Sequence, residues 1–369
     1  MKDTTYCSRR DVFKGAALLA GAVVLGGSSA RGADGVSASR SELRKLGSTD
    51  LMISSISLGT GPGQDVNVMK SAIAQGVNFI HTSTGYKGGK SIQNVAEAIR
   101  GQRDKVILGL KITWAPDDDE KMDAALETLG VDHVDIAFFN IHKSDQVRDP
   151  KYRKGAERWK KAGKFRYIGL TTHKQTAACL EAALDEGFYD ALMPSYNFSM
   201  EEEFRPIFER AEKEGVGVVL MKTNKGLSGS LYTEAIPHYL NIPAVATINR
   251  GMGSFQQIRT FLESAEKEAD AGALKQIRES VSVAMTGHCT MCGICEKSCP
   301  QGFEVADVVR CSDYYLENSE YVELARETYQ GLVHRPDAAV CSTCRICESA
   351  CKNAVPIVHH IRRAETVLA

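Results

Sequence analysis

With 369 residues, 43% of them hydrophobic and 25% charged, the chain can hold one large domain and a small one, or two to three ordinary domains. A formal charge of −1 gives no electrostatic reason to expect nucleic acid or an acidic membrane surface as partner. The eleven cysteines do not form a spread disulfide scaffold, because eight of them crowd into two runs, 289–300 and 341–352.

The first element is a targeting segment. SRRDVFK (8–14) leads into the apolar stretch GAALLAGAVVLGG (15–27) and then small residues, with cleavage expected after Ala30 or Ala33. A paired-arginine region, a modest apolar core and a small-residue site match a twin-arginine signal over 1–33. The apolar run is shorter than the ~20 residues that span a bilayer, so no stable transmembrane span is expected. The expected location is the periplasm or another extracytoplasmic space, reached as folded protein through the twin-arginine machinery.

From about residue 51, short β-rich runs alternate with amphipathic helical stretches. The runs read ISSISLG, NFIHT, KVILGLKI, HVDIAFFNI, RYIGLTT, ALMPSY, GVVLMK and AVATINR. Helical patterns such as EKMDAALETLG and TAACLEAALDEG end in glycine, as a C-cap would. The seventh helical stretch, LYTEAIPHYL, is the weakest because Pro237 interrupts it. Eight such units over 43–284 predict a (β/α)8 TIM barrel, and SLGTGPG lacks the GxGxxG spacing that an open doubly wound sheet would carry. In a barrel the C-terminal ends of the strands share one mouth. That places His81, Lys111, Asn140 with His142, Thr171 to His173, Met193 to Asn197, Met221 with Lys222, and Arg250 around a single pocket.

The pattern changes at about residue 285. Each cysteine run has the spacing C-x2-C-x2-C-x3-C, in which three thiolates wrap one cubane cluster and the fourth ligates the other. Cys289, Cys292 and Cys295 pair on this pattern with Cys351; Cys341, Cys344 and Cys347 pair with Cys299. Two [4Fe-4S] clusters are therefore expected over 285–369, in a small, mostly helical ferredoxin-like domain. Structural zinc is a poorer match, since it uses CxxC pairs separated by a longer loop. Folded export would let metal cap these thiols before an oxidising compartment does otherwise. Cys179 and Cys311 read as buried thiols.

LRKLGSTDLMISSISLGTG, AIAQGVNFI, GKFRYIGLTTH and EKEGVGVVLMK occur in the order found in aldo-keto reductases, and over 43–265 the chain resembles that family. With the cysteine domain it resembles the subgroup fused to a two-cluster ferredoxin. The resemblance implies a carbonyl/alcohol oxidoreductase with Tyr86 as general acid and Lys111 beside it, a cation expected to lower the phenol's pKa. His81 stands where the family has an aspartate, and His142 is favoured over Asn140 as the orienting residue. The resemblance also implies NADP(H), with Thr171, Thr172, Arg250 and Ser254 as the contacts. The family's Ser-Asn pair is Thr171-Thr172 here, its glutamine is Met193 and its stacking aromatic is Met221, and these departures argue against nicotinamide.

The expected function is an exported iron–sulfur oxidoreductase: a small molecule bound at the mouth, electrons relayed by the clusters to a redox partner protein or carrier. A degenerate barrel serving only as an electron-transfer or docking subunit is the alternative. A metal site from His81, His142 and His173 is a third.

Overall fold

The computed structural model describes residues 42–61, 64–317 and 321–369; the expected signal over 1–33 and Cys7 lie outside them. A hairpin comes first, β1 (Leu43–Lys45) pairing antiparallel with β2 (Met52–Ser54). Eight parallel strands then close a barrel: β3 (Ile56–Gly59), β4 (Phe79–Ser83), β5 (Ile107–Ile112), β6 (Val134–Asn140), β7 (Phe165–Thr172), β8 (Ala191–Pro194), β9 (Gly217–Met221) and β10 (Val245–Arg250), with β10 returning to β3. The expected (β/α)8 barrel is the observed fold.

ISSISLG, read above as one strand, is divided at Ser55. Its N–H donates to the Glu42 carbonyl at 2.9 Å, while the Ser54 hydroxyl donates to the Ile56 carbonyl at 2.7 Å. The backbone therefore changes sheets at that point, and alternation alone cannot show where a strand changes partner. The hairpin closes the N-terminal end of the barrel, where Leu46, Leu51 and Ile53 join Phe79, Ile136 and Ala191 in one interior cluster.

The barrel interior is a packed core. Phe79, Phe138, Met193, Val219 and Met221 fill it. Two glycines make room for the rings: a Cβ on Gly169 would lie 2.3 Å from Phe138, and one on Gly109 would lie 3.0 Å from Phe79. Outside, the strands and helices bury a larger apolar layer that includes Leu58, Ile92, Leu108, Phe139, Trp159 and Leu180. Gly130 and Gly187 end their helices in the left-handed conformation. The helix Gly229–Leu240 runs through Pro237 rather than stopping there. Proline removes one donor near the helix end, while burial of Tyr232, Ile236 and Tyr239 holds the segment in place.

Beyond the helix Ala271–Ala284 the chain is helical, with no strand among the described residues. Val305, Val308, Val309, Ile357 and Ile361 form a second, smaller core with Cys295, Cys341 and Cys347. Two four-residue helices, Ile294–Lys297 and Ile346–Ser349, carry the third cysteine of each run and pack against each other. Cys179 and Cys311 are fully buried, as expected. Among the described residues no helix is long and apolar enough to cross a membrane.

Candidate active site

Strand alternation decides what lines the mouth. Phe79 and Phe138 point inward, so two residues later His81 and Asn140 point inward as well. Lys111 pairs in register with Ser83 and Phe138 at the same level. Tyr86 opens the short turn after β4, and its ring lies 5.6 Å from the Lys111 ammonium. Tyr86, Lys111, Asn140 and His142 are each partly exposed, whereas His81 is 3% exposed.

Much of this mouth is roofed by the cysteine region. The helix Val305–Glu317 meets residues just past the ends of β7 and β9. Lys174, just past β7 and 3% exposed at its side chain, is ion-paired with Asp307 and, at 3.2 Å, with Glu296. Lys222, just past β9, donates to the Tyr314 hydroxyl and lies 4.0 Å from that ring's centre. Lys225 meets Asp313 at 3.5 Å, and the Gln175 N–H donates to the Met291 carbonyl at 3.1 Å. Burial alone would lower the Lys174 pKa, yet Asp307 and then Glu296 hold it above its ordinary value. Burial opposes ionisation of both carboxylates. At Asp307 the charges of Arg310 and Lys174 outweigh it and the pKa falls; at Glu296 burial wins and it rises. Asp307 is thus the stronger partner of Lys174.

The roof changes the chemistry of the pocket. Burial, then Arg310, then Lys222 lower Lys111 to about 7. Tyr86 moves opposite to the expectation: burial, then Tyr314 and Tyr321, push its pKa up. The Lys111 ammonium lies against the Tyr86 ring, and no hydrogen bond joins it to the hydroxyl, so it stabilises the phenolate too little to offset burial. His81 is lowered to about 3 by burial and then by Lys111. Its Nε2 is buried without a hydrogen-bond partner, and its ring sits edge-on to Phe138 at 5.5 Å between centres. His142 is lowered to about 3 by burial, then by Arg310 and Lys111. Its Nδ1 accepts from the His173 N–H at 3.2 Å, and the His173 ring bonds the Ser195 hydroxyl at 2.7 Å. All three imidazoles are neutral at pH 7.

Asn140 and His142 both reach the mouth, Asn140 with a buried Oδ1 that finds no partner. Arg310 and Tyr314 are the neighbours that sequence reasoning missed. Among the described residues no group of three or more His, Cys, Asp or Glu side chains is arranged to hold a metal ion, so the three histidines do not form a ligand set.

The residues expected to hold a nicotinamide cofactor are engaged elsewhere. The Thr171 hydroxyl donates to the Met193 carbonyl at 3.2 Å, and the Thr172 hydroxyl to the Lys174 carbonyl at 3.0 Å. Arg250 donates to the Asn224 side chain at 2.7 Å and lies over the Tyr232 ring at 4.7 Å. Ser254 caps the helix Phe255–Ala265, accepting from the Gln257 N–H at 3.2 Å.

As their side chains stand, the cysteines too form no group arranged to hold a metal ion among the described residues, though four of them share a cavity. Cys289, Cys292, Cys295 and Cys351 line one cavity, together with Val309. Burial, then the Cys347, Cys299 and Cys344 thiols, raise the Cys341 thiol to about 11.

Residues 56–279 match the family model described as the aldo/keto reductase family, more than half of the chain. The chain belongs to the aldo/keto reductase family. An uncharacterized oxidoreductase of Bacillus subtilis (strain 168), YqkF, is 27% identical over 150 residues, covering 35% of this chain and 48% of that protein. An aldo-keto reductase of Fusarium vanettenii is 25% identical over 241 residues, covering 50% of this chain and 65% of that one. The chain thus spans about half to two-thirds of the length of these curated relatives. Among solved structures, the holo form of the aldo-keto reductase AKR11C1 from Bacillus halodurans superposes with a TM-score of 0.56 at 21% identity, over 65% of this chain and 96% of that one. An aldo-keto reductase from Klebsiella pneumoniae in complex with NADPH gives 0.55 at 16%, over 65% and 94%. At these identities the superpositions speak for the barrel alone.

Proposed function

We propose that this chain is an exported iron–sulfur oxidoreductase of the aldo/keto reductase type, acting on a small carbonyl or alcohol at the barrel mouth and exchanging electrons with a redox partner. One observation carries the reading. In the helix 305–317, Val309 lines the thiol cavity while Asp307 and Tyr314 bond Lys174 and Lys222, just past strands of the barrel. A single helix therefore connects the cysteine cavity to the aldo/keto reductase pocket.

The spacing of the two cysteine runs supports two clusters. Cys289, Cys292, Cys295 and Cys351 would hold one around the cavity they share, and Cys299, Cys341, Cys344 and Cys347 the other. Each cluster, when bound, supplies or accepts electrons one at a time. In the mouth, Tyr86 keeps its proton and serves as donor to a substrate oxygen, while Lys111, at about 7, exchanges a proton with solvent near neutrality. His142 and His81, both neutral, orient the substrate by hydrogen bonding. Export rests on the SRRDVFK segment and its apolar run.

NADP(H) finds few free contacts here, since the Thr171 and Thr172 hydroxyls donate and Ser254 accepts within the protein, although Arg250 keeps an unpartnered Nε. The docking-subunit reading draws on the roof itself, which narrows the mouth. A single preparation separates these readings. Purified without air, the full chain should carry about eight irons and eight sulfides, and chemically reduced protein should be reoxidised by a carbonyl substrate in a Tyr86-dependent way. Lack of iron overturns the cluster assignment. Cluster reduction by NADPH favours a nicotinamide enzyme, and cluster redox chemistry with no dependence on Tyr86 favours the docking subunit.

A further inference from the structure

Lys111 is a cation without a counter-ion. The position that would hold its carboxylate is His81, and among the described residues no hydrogen bond or ion pair reaches its ammonium; its contact is the Tyr86 ring at 5.6 Å. Arg310, paired with Asp307 at 2.7 Å through one guanidinium nitrogen but with its Nε buried and unpartnered, and Lys222 bring further positive charge close enough to depress its pKa. A buried cation lacking an anion is costly, and proteins ordinarily supply one. Here the nearby imidazoles cannot, because His81, His142 and His173 are all lowered and neutral, and the Asp307 carboxylate of the roof is already paired with Arg310 and Lys174.

A second observation is independent of charge. His81 Nε2 and Asn140 Oδ1 are each buried without a hydrogen-bond partner, on side chains that strand alternation turns to the barrel interior. A neutral imidazole can carry its proton on Nε2 and donate it to an oxygen. The partial exposure of Tyr86, Lys111 and His142 leaves a small molecule a way in.

We propose that the roofed mouth binds a small carboxylate, a 2-oxo or 2-hydroxy acid, with Lys111 and Arg310 holding the carboxylate and His81 Nε2 donating to it. The proposal rests on the oxidoreductase reading for the role of Tyr86, which meets the neighbouring carbonyl or hydroxyl oxygen. The short span between the Lys111 ammonium and the Tyr86 ring sets the carboxylate and the reacting carbon side by side. The specificity comes from both regions, since the barrel contributes Lys111 and His81 and the helix 305–317 contributes Arg310.

Calorimetric titration of the cluster-loaded full chain tests this without any turnover. The probes are pyruvate and lactate against acetone and 2-propanol, the uncharged counterparts of similar shape. Pyruvate and lactate should bind at least tenfold more tightly than their counterparts. Lys111→Met and Arg310→Gln should each remove that preference, and Arg310→Lys should restore part of it. Lys225→Met, at the same interface but outside the pocket, should leave it intact. Equal binding of acetone and pyruvate overturns the proposal, as does a preference that survives both Lys111→Met and Arg310→Gln. Iron content is measured on every sample: its absence overturns the cluster reading while the titration still decides the ligand class.

Discussion

The barrel and the cysteine region are both compact, but they are held together by different means. The barrel fills its centre with Phe79, Phe138, Met193 and Met221, and buries a continuous second layer under its helices. The cysteine region has a short core in which Cys295, Cys341 and Cys347 stand among a few valines and isoleucines, and two of its helices are single turns. About 85 residues with so little apolar material and single-turn helices sit near the size at which cross-links or metals are needed. The contrast teaches that one part of this chain folds by burying a large apolar surface, while the other has a smaller core in which cysteines take the place of larger apolar side chains.

The most severe test removes the crossed cysteines. Cys299→Ser with Cys351→Ser takes one thiol from each group of four, and metal-coupled folding makes the expected result loss of helical order across 285–369. Hydrogen exchange should report that loss while the barrel amides stay protected. Full protection in both regions would mean that the cysteine region folds by its own packing, and the contrast would fail.

Next in size is the junction. Lys174→Met leaves Asp307 and Glu296 buried beside an uncharged side chain, which costs about 3–5 kcal/mol when one partner of a buried pair is removed. The expected outcome is release of the roof, seen as proteolytic cleavage between the regions, with the barrel's melting transition little changed. Within the barrel, Gly169→Ala drives a methyl to within 2.3 Å of the Phe138 ring. Overpacking of that kind costs about 1–3 kcal/mol, and it should lower the barrel's unfolding midpoint while leaving the iron content as it was.

How much of this could be read from sequence differs between the regions in the same way. The barrel announces itself by eight β-rich runs, and the cysteine groups by their spacing, because both are written in local periodicity. The split at Ser55 is not, since it depends on which sheet accepts a backbone bond. The contacts across the roof are harder still. Asp307, Arg310 and Tyr314 recur at steps of three and four within VADVVRCSDYYLE, which puts them on one helix face. That polar stripe on a helix of a small domain was the available signal for docking, but nothing local names Lys174 and Lys222 as the partners. The sign of the Tyr86 shift is not legible for the same reason: burial raises it first, and then Tyr314 and Tyr321, more than 200 residues away in sequence, raise it further.

Acid provides the gentlest test, and it acts on the seam between the two regions. His142 falls to about 3 through burial, Arg310 and Lys111, against an ordinary 6.5, so the docked state resists its protonation. Above pH 6.5 the imidazole is neutral whether the roof is on or off, and docking does not depend on pH through this group. Below 6.5 the undocked state binds the proton and the docked state does not, so docking weakens as pH falls toward 3. The slope is at most about 1.4 kcal/mol per pH unit for one histidine, and His173, lowered for related reasons, adds to it. The prediction is that between pH 6.5 and 5 cleavage between the regions rises while barrel helicity holds. His142→Gln, which cannot titrate, should flatten that rise. If instead the barrel and the roof lose structure together, the histidines report on the barrel alone, and the two regions are less separable than their cores suggest.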